Sequence, residues 1–185
     1  MNKVILGQTA LIICCGFYLV WWYRGYRPGV TVNRIAGLNG VLLLITAVLG
    51  ITGIVLSLMN LPDVNGRHIP TNLIVIGGII AYFALLIITR FAFHRIVTTE
   101  LVLITAWTML EVAVTDRLYA AGMLGQGNFT AEIVVIAAAF LISMVLYVAY
   151  YRMEENAAFY AAMVPLITEA AAMAVLVAMT VGKSG

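Results

Sequence analysis

"VLLLITAVLGITGIVLSLM", residues 41–59, decides the fold class, because its nineteen consecutive positions hold neither a charge nor a proline. A helix of about 20 apolar residues, rising about 1.5 Å per residue, crosses a hydrocarbon core of about 30 Å. The run has no in-and-out alternation and is longer than the roughly ten residues of a barrel strand. It reads as a transmembrane helix.

The rest of the chain agrees. Its 185 residues are 64% hydrophobic and 10% charged, with a mean hydropathy of +1.07, far from the roughly half-apolar, quarter-charged mix of a soluble domain. The expected fold is an all-α polytopic membrane protein with six transmembrane helices in one transmembrane domain over residues 1–185. The spans fall at about 4–23, 35–60, 71–90, 97–121, 130–151 and 157–181. Glycine, proline and polar residues mark the breaks between them. A single Lys precedes the first run, and no small-residue cleavage site follows it. The first helix is therefore expected to be retained rather than removed as a signal peptide.

Lys and Arg placement sets the expected orientation. Arg24, Arg27, Arg34, Arg90, Arg95 and Arg152 follow helices one, three and five, against Lys3, Arg67, Arg117 and Lys183 on the other side. Six against four predicts N-out, C-out. In "WWYRGYRPG", residues 21–29, aromatic rings and arginines cluster where the first helix would reach the headgroups. A membrane-anchoring role is expected there rather than a ligand cage.

The second, fourth and sixth runs carry "LITA" (44–47), "LITA" (103–106) and "LITE" (166–169), and the odd-numbered runs end in "WWYR", "IITR" and "AYYR". These echoes point to three repeated helical hairpins, with chance recurrence of common apolar residues as the alternative. Three N-out hairpins resemble, in architecture, bacterial urea channels and their amide-transporter relatives. None of that family's sequence motifs is present, and no site residue is carried over.

Ionisable groups at membrane depth are expensive, so each is a candidate for a pathway, ligand or partner. Glu111 and Glu169 each lie at least a turn inside mostly apolar sequence. Thr105, Thr108, Glu111 and Thr115 recur at three- and four-residue spacing along one face, which Glu100 and the Asp116–Arg117 pair extend to both ends. Asn39, Thr46, Gly50 and Gly53 form a milder face on the second helix, and Pro165, Glu169, Ala172 and Met173 one on the sixth. On the functional reading, helices two, four and six enclose a polar path containing both glutamates, with Arg90, Glu100 and Arg152 at its cytoplasmic mouth. On the structural reading, the threonines bond to their own helices and the glutamates act as interhelical glue. Glu132 is expected in the first turn of the fifth helix, behind Asn128 or Thr130 as cap.

Several classes lack their parts. Ten scattered basic residues and a net charge of +2 make no footprint for nucleic acid. Cys14 and Cys15 lack metal or redox spacing and read as packing residues. His68 and His94 fall in loops on opposite faces, so no haem, other cofactor or metal is expected. Gly77–Gly78 reads as a close-packing site. For a lipid-modifying enzyme only His94, Arg95 and Glu100 cluster near an interface, without a known spacing, so enzymatic activity is not the favoured reading.

The polar stripe, the two glutamates within apolar sequence, the break that Pro165 makes in the sixth helix and the possible repeat favour a small channel or transporter moving a small solute or proton. The alternatives are a non-catalytic subunit of a larger membrane complex and, behind it, a lipid-modifying enzyme. The expected partners are the lipid bilayer and either further copies of the chain (a homo-oligomer) or another membrane protein. Apart from a formal Asn-Phe-Thr glycosylation acceptor at 128–130, nothing suggests a eukaryotic secretory pathway. A prokaryotic plasma (inner) membrane is the expected location.

Overall fold

The computed structural model describes residues 2–61, 70–92, 94 and 99–182, and every regular element among them is helical. Helix α1 spans Asn2–Tyr26, α2 Leu38–Met59, α3 Thr71–Phe91, α4 Thr99–Ala120 and α5 Gln126–Ala149. After a 3-10 turn at Tyr150–Arg152 come α6, Glu155–Ala161, and α7, Val164–Val181. The six expected segments are present with ends shifted by a few residues. Arg67, His68, Arg95 and Lys183 lie outside the described residues.

Two boundaries are instructive. The sixth segment is divided between Ala161 and Val164. Pro165 has no N–H to donate and its ring crowds the carbonyl four residues earlier, whereas in the first turn of a new helix the missing donor is harmless. Helix α5 begins at Gln126, with Gly125 at the N-cap and no side-chain cap. Neither Asn128 nor Thr130 caps it. Thr130 instead donates to the Gln126 carbonyl at 3.0 Å, and Phe129 stacks on Tyr119 with ring centroids 4.4 Å apart, holding the first turn of α5 against the end of α4. Gly122, at φ +72°, makes the sharp return between them, with Met123 N–H donating to Leu118 O at 2.9 Å.

The helices form an inner group and two flanking members. Helix α1 packs on α7, α7 on α5, and α5 on α4. A hydrogen bond between Gln8 and Glu111 ties α1 to α4 and closes the ring. One core cluster, Val4, Val114, Leu118, Leu124 and Leu176, fills one end of this group, and Leu101, Ile104 and Tyr147 fill the other. Helix α2 lies chiefly on α1 and α3 chiefly on α4. The α1–α2 contact is close because glycines face it. A Cβ on Gly53 would lie 2.7 Å from Leu11 Cγ, and one on Gly7 would lie 2.6 Å from Ser57 Oγ. Gly78 packs on the Met109 side chain of α4, while Gly77 faces open space, so half of that glycine pair serves packing.

Among the described residues, five helices are long and apolar enough to cross a membrane: α1, α2, α3, α5, and α6 with α7 taken together. Their outward faces carry large apolar side chains such as Leu44, Ile51, Ile80 and Phe83, each more than half exposed. Such a surface is consistent with an integral membrane protein. Helix α4 is the exception, carrying Glu100, Glu111, Asp116 and Arg117 within 22 residues.

Candidate functional site

Three carboxyl groups are buried inside the inner group. Glu111 of α4 is fully buried, and its Oε1 accepts a hydrogen bond from Gln8 Nε2 of α1 at 3.1 Å. The other Glu111 oxygen and Gln8 Oε1 have no partner among the described residues. Glu132 of α5 is fully buried with both carboxyl oxygens unpartnered. Glu169 of α7 is 7% exposed, and Ser143 of α5, itself fully buried, stands beside it. A buried carboxylate that no cation neutralises is costly, so each of these groups either keeps a proton or holds a cation.

Helical rise places the three in order. On α5, Glu132 and Ser143 are eleven residues apart, about 16 Å along the axis, so Glu132 and Glu169 mark opposite halves of the bundle. Glu111 falls between them. It lies two turns before Tyr119, whereas Glu132 lies within one turn of Phe129, the ring stacked on Tyr119. The series Glu169, Glu111, Glu132 therefore runs along the bundle axis on three different helices.

A half-open cavity of about 340 Å³ adjoins Glu169. Cys15, Tyr18 and Trp22 of α1, Glu100, Leu103 and Ile104 of α4, Ser143, Tyr147 and Tyr150 around the end of α5, and Ala161 to Glu169 across the α6–α7 break supply most of its wall. Helix α2 contributes Thr46 alone. Glu100 and Leu103 are exposed and mark the opening, while Glu169 lies at depth. The division of the sixth segment helps shape this space, since Met163, Pro165 and Leu166 line it where a continuous helix would run.

The arginines and rings of residues 21–34 form a packed unit. Trp21 Nε1 donates to Arg34 O at 2.9 Å, Arg24 Nε donates to Asn39 Oδ1 at 3.2 Å, and the Arg34 guanidinium lies 4.2 Å from the Tyr26 ring centre. These contacts fold the first loop back onto α1. Trp22 stacks on Tyr26 at 4.2 Å and also enters the cavity wall, with its indole N–H unpartnered.

The other candidates divide into three groups. Thr105 and Thr108 donate to Leu101 O and Ile104 O, each at 2.8 Å, so their hydroxyls are satisfied within α4. Thr115 is fully buried with its hydroxyl unpartnered, and Asp116 is buried beside it in sequence; Asp116 and the half-buried Arg117 are engaged by neighbours. At the expected mouth, Glu100 lines the cavity opening, while Arg90 and Arg152 are exposed at helix ends and outside the cavity wall. Cys14 donates to Thr46 O at 3.2 Å, and Cys15 faces the cavity as a free thiol. Among the described residues no group of three His, Cys, Asp or Glu side chains is arranged to hold a metal.

The polar groups thus converge from α1, α4, α5 and α7, and the second span contributes little. Gln8, Glu132 and Ser143 belong to the cluster although sequence reasoning passed over Gln8 and Ser143 and made Glu132 a first-turn residue. One signal was available for α5. Glu132, Ile136, Ala139, Ser143 and Tyr147 recur at three- and four-residue spacing and form its buried stripe. No protein-family model, curated protein or solved structure matches the chain.

Proposed function

We propose that the protein is a small membrane channel or transporter, and that protons or a small solute move through the interior bounded by α1, α4, α5 and α7. The observation that carries this reading is the axial series Glu169, Glu111 and Glu132, three carboxyls on three helices with no basic partner among the described residues. The Gln8 bond gives Glu111 a packing role, but no polar partner among the described residues accounts for burying Glu132, whereas a proton relay needs groups of this kind at intervals across the membrane. The cavity beside Glu169 gives a cargo a place to meet the first of them. The working orientation is N-out, C-out in a prokaryotic plasma membrane, with the cavity facing the cytoplasm.

The experiment is proton uptake into liposomes containing the purified chain, driven by a potassium diffusion potential and read by an internal pH-sensitive dye. Uptake should exceed that of protein-free liposomes and fall by about tenfold or more in Glu169→Gln, the loss of a group that acts directly in transfer. Uptake equal to the protein-free control, or an unaffected Glu169→Gln variant, would remove the proposal.

A further inference from the structure

We propose that the cavity above Glu169 binds an amphipathic organic monocation, of the size of one aromatic ring bearing an ammonium group. The inference rests on the transport reading for calling this ion a cargo, but the binding site itself stands on the cavity alone. Its volume of about 340 Å³ lies at the small end of the range for ligand sites, about 300–1,000 Å³. The wall is mostly apolar and contains four aromatic side chains, Tyr18, Trp22, Tyr147 and Tyr150. The faces of such rings attract cations, most strongly when water is excluded.

Charge selects among ligands. Two carboxyls line the cavity, Glu169 at depth and Glu100 at the opening, and among the described residues no Lys, Arg or His lines it. An anion would meet the Glu169 carboxyl at depth with no cationic side chain among the described lining residues to offset the repulsion. A neutral hydrocarbon would fill the space but leave the 7% exposed Glu169 carboxyl without a counter-charge and the fully buried Ser143 hydroxyl unpartnered. A monocation places its charge at Glu169 and its ring among the aromatics, using both parts of the wall. Ser143, in the same wall as Glu169, has an unpartnered hydroxyl that can accept from a primary ammonium.

The test uses the full chain in detergent micelles and benzyltrimethylammonium, whose charge does not depend on pH, beside its uncharged carbon isostere neopentylbenzene. Saturable quenching of tryptophan fluorescence by the cation is expected, with affinity at least about tenfold above that of the isostere, a difference of 1.4 kcal/mol. In Glu169→Gln the cation should bind about tenfold more weakly while the isostere is unchanged, and Trp22→Phe should remove most of the quench. Equal binding of cation and isostere by the unaltered chain, absence of saturable binding, or unchanged cation affinity in a folded Glu169→Gln variant would each overturn the assignment. If Glu169→Gln does not fold, the selectivity of the unaltered chain decides alone. Proton uptake without cation binding would overturn the cation site and leave the proton relay, whereas cation binding without proton uptake would uphold the site and remove the relay.

Discussion

Helices α3 and α4 are partners in one hairpin and opposite in character. In the most apolar stretch of α3 only 6% of residues are buried, and its sole charge is Arg90 in the last turn. Helix α4 carries four charged residues and is not among the five helices apolar enough to cross a membrane, yet Leu101, Glu111, Val114 and Thr115 on it are completely or almost completely buried. Hydropathy alone would rank α3 as the better membrane helix and α4 as the doubtful one. Their positions explain the inversion: α3 faces outward with its apolar side chains, whereas α4 packs chiefly between α3 and α5, with α2 and α7 also against it and Gln8 of α1 bonded to it, and so can carry carboxyls that no lipid-facing helix could hold. In this fold the less apolar helix marks the interior.

The contrast sets an order of expected effects, each measurable as unfolding of the full chain in micelles. Leu118→Ala in the α4 core should cost about 2–5 kcal/mol because the packed cluster around it cannot collapse into the space. The matching change on α3, Ile80→Ala, removes a mostly exposed side chain and should stay within about 0.5 kcal/mol. Similar losses would mean that the two helices are not differently buried.

Glycines provide the next contrast. Gly53→Leu should push α1 and α2 apart at Leu11 and cost about 1–3 kcal/mol. Gly77→Ala on α3 meets nothing within 4 Å and should be neutral or stabilise by up to about 1 kcal/mol through helix propensity. A tolerated Gly53→Leu would show that the close α1–α2 approach is not required.

Polar substitutions should follow. Gln8→Leu strips Glu111 of its one hydrogen-bond donor and should cost about 1–3 kcal/mol, with most of that recovered in the double variant Gln8→Leu, Glu111→Leu, where neither polar group remains. Additive losses in the double variant would argue against the pairing. The smallest change is expected for Thr108→Ala, whose hydroxyl bonds only to its own helix. A loss near or below about 0.6 kcal/mol is predicted, the average for polar contacts in a membrane bundle.

The helices were largely legible in the sequence because long apolar runs and turn residues bound them, and Pro165 announced the break in the sixth. Helix α5 was misjudged at its start: Asn128 and Thr130 are good caps in isolation, and the Tyr119–Phe129 stack that carries the helix back to Gln126 is a tertiary contact. The same error concealed Glu132, since an acid near a helix start is accounted for by the dipole until the helix is found to begin at Gln126, six residues before it. Glu111 and Glu169 stood out because each interrupts apolar sequence on both sides. Gln8 and Ser143 gave no such signal, as uncharged polar residues are ordinary in helices. The cavity could not be read at all, because it requires five segments to converge and one of them to break.

Glu132 tests the relay most directly, because it touches neither the cavity wall nor any polar partner among the described residues. If the three carboxyls form one path, proton uptake into liposomes by Glu132→Gln should fall about tenfold or more, as for Glu169→Gln, while the protein remains folded. Uptake at the unaltered rate in Glu132→Gln, with Glu169→Gln inactive, would contradict a path along the bundle and confine the function to the cavity.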